Sequence, residues 1–225
     1  MTLEGCCSKN YQPVAADGPL LGQPLNGSDR RHMIRSETDL LRVTQEVSRG
    51  LQEIQDYLEQ GGHPTIKVKF PYGFIRTAKH FREQFPFIAK DSLIRNIGYS
   101  LILSDVYRWV LNRIEIKGTA REMIIKQGIC LFGSLCESIT KDALEGKISS
   151  KKGYKERTEF LLNNKVISNE LKTDLDWLWD TRNNDHLFLI AHREHRKYYI
   201  KDYNRAIRSY QQVKEALNKF LAPPV

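Results

Sequence analysis

The chain has 225 residues, 40% hydrophobic and 28% charged, with 10 tyrosines and 9 phenylalanines. That apolar content supplies one substantial core and excludes wholesale disorder. A net charge of +8 and a pI near 9.3 favour an anionic partner such as RNA or DNA.

Residues 1–37 are rich in Gly, Pro, Ser and Asn and show no hydrophobic period, which predicts a flexible arm. The arm is neutral, with four basic residues against four acidic ones. It carries Cys6 and Cys7 side by side, and no hydrophobic segment stands before the "LEGC" box. A signal peptide is not expected there, and the cytosol is the expected compartment.

Residues 38–90 read as a helix followed by a small extended insertion. Ser36 and Thr38 open the helix, and Leu40, Leu41, Val43, Val47, Leu51, Ile54 and Leu58 recur at helical spacing until Gly61-Gly62 stops them. Ile66, Val68 and Phe70 then alternate with lysines. This fits a short strand or hairpin turning at Pro71–Gly73, and equally an extended connector. The stretch 74–85 adds a helical turn or two before Pro86.

Residues 91–225 carry the strongest helical pattern, an antiparallel bundle of four to five helices. Leu93, Ile94, Ile97, Leu101, Val106, Trp109, Val110 and Ile114 trace one long helix. Gly118-Thr119 breaks it, with Thr119 as the expected N-cap of a second helix to about Glu145. Cys130 and Cys136 fall in that apolar run as buried thiols. With no CxxC pair, a thiolate zinc site is not expected. Its small residues Gly128, Gly133 and Ser134 should let a neighbouring helix come close.

Two further helices are expected at about 155–163 and 169–181, the latter capped by Ser168 or Asn169, then an apolar patch at 187–191 and a last helix at about 202–221. The longest apolar stretch, Ile97–Ser104, is far too short to span a bilayer, so no membrane partner is expected. From Leu187 to Val225 there are eight basic residues against three acidic, so this segment carries most of the net charge. Arg193, Arg196 and Lys197 are its expected RNA contacts.

The chemistry-bearing stretch is "LDWLWDTRNNDHLFLIAH". Leu175, Leu178 and Trp179 supply packing, and the polar cluster Asp180, Arg182, Asn183, Asn184, Asp185 and His186 follows. Arg182 and His186 are four apart, one turn from each other if the helix continues through them. Taken alone such a pair is usually a solvated face. As a site it suits RNA cleavage. The substrate's 2′-hydroxyl is the nucleophile, His moves protons near neutral pH, and Arg stabilises charge on the phosphorus-centred transition state. Such chemistry requires no metal and no cofactor. His186, His192 and His195 lack the HExxH spacing of a zinc site.

The order of elements resembles the HEPN superfamily: a long helix, a second bearing "SLCES", a loop, "FLLNNKVISNELKTDLDWLWDTRNNDHL", and a closing helix. The resemblance covers roughly 91–221. It implies that Arg182 is the phosphate-stabilising cation and His186 the acid–base group. It gives Asn183 an orienting role by hydrogen bonding, makes Asp185 a supporting residue, and makes Glu137 a group that holds Arg182. It also implies a homodimer in which two motifs face one cleft, and a toxin or anti-phage ribonuclease with an antitoxin or defence partner. Three residues separate Arg182 from His186, fewer than the four to six usual in that family. This keeps open a non-catalytic domain that binds RNA, nucleotide or a protein, and residues 1–90 keep open a helical subunit of a larger assembly.

Overall fold

The computed structural model describes residues 34–61, 67–185 and 198–222. Among them are seven helices and no strand: α1 (Glu37–Glu59), α2 (Ala78–Arg82), α3 (Asp91–Arg113), α4 (Gly118–Ala143), α5 (Tyr154–Asn163), α6 (Asn169–Asn183) and α7 (Ile200–Leu221). The fold is all-α. The chain divides into two compact units, Met1–Lys69 and Phe70–Val225.

In the first unit, α1 starts where Ser36 Oγ accepts the Asp39 backbone N–H at 3.0 Å. An Arg42–Glu46 pair and hydrogen bonds from Gln52 to Asp56 and from Gln55 to Glu59 brace its polar side at i,i+4 spacing. None of its residues is buried.

Residues 67–71 have no regular structure, and the turn at Tyr72-Gly73 follows, with Gly73 at φ +80°. Of the two readings of this segment, the described part fits the connector. α2 is the expected helical turn. Thr77 Oγ1 caps it by accepting the His80 N–H at 3.2 Å.

The bundle is arranged around α4, which packs against α3, α5, α6 and α7. Its Ile125, Ile129, Cys136 and Ile139 are wholly buried, against Leu161, Leu175, Leu178, Ala206, Val213 and Leu217 from its neighbours. Two α4 glycines make this closeness possible. A Cβ on Gly128 would lie 2.5 Å from the Tyr203 ring, and one on Gly133 would lie 3.0 Å from the Leu178 carbonyl oxygen.

Thr119 is not the cap of α4. Lys117 holds the extended cap conformation without a side-chain bond, and Gly118 turns the chain at φ +63°. The glycine therefore makes the break that Thr119's hydroxyl was expected to define. Ser168 does cap α6, accepting the Leu171 N–H at 3.2 Å.

Candidate functional site

Arg182 stands in the last turn of α6, and α4 runs close beneath it because Gly133 has no side chain; a Cβ there would lie 3.2 Å from Arg182 Cβ. Three neighbours of different kinds hold the guanidinium. Glu137 of α4 pairs with it at 3.4 Å, and its NH1 donates to Asn183 Oδ1 at 3.1 Å. The Trp179 ring lies 5.2 Å below the guanidinium carbon. The side chain keeps 38% of its surface exposed, so it remains able to meet a ligand. Trp179 is itself fixed by stacking on Tyr154, with centroids 4.9 Å apart.

α6 ends at Asn183. Asn184 is its C-cap, and the Asp185 N–H bonds back to the Arg182 carbonyl at 3.2 Å in a tightened last turn. The helix therefore does not run on through Asp185, and helical spacing alone does not place His186 over Arg182. Asp185 is anchored to α4: it pairs with Lys126 at 2.8 Å and accepts from Gln127 Nε2 at 3.3 Å. Lys126 is almost wholly buried.

A cleft of about 390 Å³ opens beside Arg182, lined by Leu103, Tyr107, Gln127, Cys130, Leu131, Ser134 and Asp185. Its lining mixes polar groups, Arg182 among them, with the apolar Leu103 and Leu131. Cys130 faces this setting, but burial first, and then the charge of Asp185, push its thiol up to about 11. It is protonated at neutral pH and is not a thiolate nucleophile.

Of the expected site residues, Arg182, Asn183 and Glu137 meet in one cluster, and Asp185 lines the same cleft. His186, Arg193, Arg196 and Lys197 lie outside the described residues, as does the apolar patch 187–191. Tyr203 and Tyr210 are core residues. Sequence reasoning missed Lys126, Gln127 and the ring of Trp179 as parts of the site. The one available signal was the lysine inside the apolar run "MIIKQGIC". No group of three or more His, Cys, Asp or Glu that could hold a metal ion occurs among the described residues. None of their helices is long and apolar enough to cross a membrane. No protein-family model, curated protein or solved structure matches the chain.

Proposed function

We propose that the chain is a metal-independent RNA endonuclease of the HEPN type, acting as a cytoplasmic homodimer in the manner of a toxin or anti-phage effector. The observation that carries this reading is Arg182 itself: a half-exposed guanidinium, oriented by Glu137, Asn183 and Trp179, at the rim of an open cleft. A fixed fork of donors suits the oxygens of a phosphodiester. The 2′-hydroxyl attacks the adjacent phosphorus, and the 5′-oxygen leaves. His186 takes or returns the proton, while Arg182 stabilises the negative charge that builds on the non-bridging oxygens.

Leu103, Tyr107 and Leu131, partly exposed in the lining of the cleft, support the second half of the reading. A second copy docked there would cover apolar surface and bring two arginines to one cleft. A non-catalytic RNA-binding domain would use the same arginine and is separated from the enzyme by one experiment. Purified protein is incubated with total RNA, and cleavage rates are compared with those of Arg182→Ala and His186→Ala. Each substitution is expected to lower the rate by about two to four orders of magnitude. Intact RNA with wild type and both variants alike would overturn the enzyme in favour of the binding domain.

A further inference from the structure

A second cluster lies where residues of α2, α3 and α7 meet, and the ribonuclease reading does not use it. Asp105 of α3 is wholly buried and its two oxygens are fully engaged. They accept the Arg76 backbone N–H at 2.9 Å and the Arg76 guanidinium at 2.7 Å, and Arg108 stands at 3.3 Å. Burial alone would raise this carboxyl, but the hydrogen bonds and charge of Arg76 outweigh it and hold the group below the ordinary carboxylate range.

The cluster is still cationic. A cavity of about 140 Å³ is lined by Arg76, Arg108 and Lys214 around that single carboxylate, together with Tyr203 and Tyr210. Three polar atoms at this place are enclosed without a partner: the Arg108 Nε and the hydroxyls of Tyr203 and Tyr210, whose side chains are more than nine-tenths buried. A buried donor without an acceptor is costly, so it points to something that brings one. Lys214 gives one bond to Gln84 Oε1 at 2.9 Å, and burial lowers its ammonium from the ordinary range. Arg76 and Arg108 stay about 40% exposed, which leaves a path inward from solvent. All three unpartnered atoms can donate, and the three cations outnumber the single carboxylate. A group that brings acceptors and negative charge within the size of the cavity would satisfy both.

We infer that this cavity is a binding site for a single tetrahedral oxyanion, a phosphate or a phosphate monoester group, taken by Arg108, Lys214 and the hydroxyls of Tyr203 and Tyr210. The arginines supply the fork that phosphate oxygens fit, and Lys214 supplies a mobile point charge. The site stands apart from Arg182, and its fate is independent of whether the protein cleaves RNA.

The test is binding of inorganic phosphate to the full-length protein, followed by calorimetry and by the shift in melting temperature, with chloride at matched ionic strength as reference. A saturable response to phosphate, weakened at least tenfold in both Tyr210→Phe and Lys214→Gln, is expected. Tyr210→Phe keeps the ring and its packing, so it should fold and melt no lower than wild type without phosphate. Methyl phosphate forms the second arm. Binding equal to that of phosphate assigns an ester-borne group, and binding of inorganic phosphate alone assigns the free anion; either supports the site. A response no larger than that of chloride would overturn the inference. So would a phosphate affinity that is unchanged in both variants.

Discussion

Arg182 owes its position to side chains from two helices, and its pair with Glu137 is the contact most open to test. The Glu137 pair is partly exposed and spans 3.4 Å, so its share of stability is about 1 kcal/mol or less. In the proposed ribonuclease its share in catalysis should be larger, because a misdirected cation loses transition-state stabilisation while leaving ground-state binding intact. Glu137→Gln should therefore lower kcat by about tenfold, roughly 1.4 kcal/mol, with KM and the unfolding midpoint nearly unchanged. Equal losses in kcat/KM and in stability would reduce Glu137 to a structural residue.

Glu137 is named as a residue that holds Arg182 only through the family resemblance, and the two side chains do meet at 3.4 Å. Lys126 and Gln127 were not legible, since a lysine beside Ile124 and Ile125 gives no sign of which carboxylate it meets. The partner, Asp185, lies 59 positions away, and only the packing of α4 on α6 brings them to 2.8 Å.

At the scale of elements, α4 is held by absence of side chain. Gly128 receives the Tyr203 ring at a distance that a methyl group would occupy. Alanine gains about 1 kcal/mol in helix propensity over glycine. Overpacking against a fixed aromatic ring costs up to about 3 kcal/mol, so the clash wins. Gly128→Ala should lower stability by about 2 kcal/mol in urea unfolding, with the difference seen in the midpoint and not in the slope. A variant as stable as wild type would mean that α7 shifts freely away from α4.

Periodicity made the helices from 91 onward legible, and the small residues of α4 signalled the close approach. Helix ends were less legible. The start of α4 depends on Gly118 taking a left-handed conformation, and the end of α6 depends on a tight turn after Arg182. Neither follows from hydrophobic spacing. The segment before α2 was ambiguous for a related reason: alternation of lysine with apolar residues suits a strand only when a partner strand pairs with it, and the sequence names no partner.

For the whole molecule, a shared cleft predicts a dimer at micromolar concentrations in light scattering. Leu103→Glu, in the lining of the cleft beside Arg182, should turn it into a monomer and lower cleavage without unfolding the chain, because Leu103 is already exposed. A strictly monomeric wild type that still cleaves RNA would reject the composite site. In the proposed reading, the basic excess of the last 39 residues would add a non-specific attraction for RNA that falls with salt, without carrying the chemistry. What distinguishes an Arg182/His186 ribonuclease from every hydrolase that activates water is the identity of its nucleophile. The most direct measurement is therefore cleavage, in EDTA, of a short RNA and of the same strand with a single 2′-deoxynucleotide at the mapped cut site. The first strand should be cleaved to a 2′,3′-cyclic phosphate and a 5′-hydroxyl, and the second should stay intact at that position. Equal cleavage of both strands, or products ending in a 5′-phosphate, would contradict the 2′-hydroxyl as nucleophile.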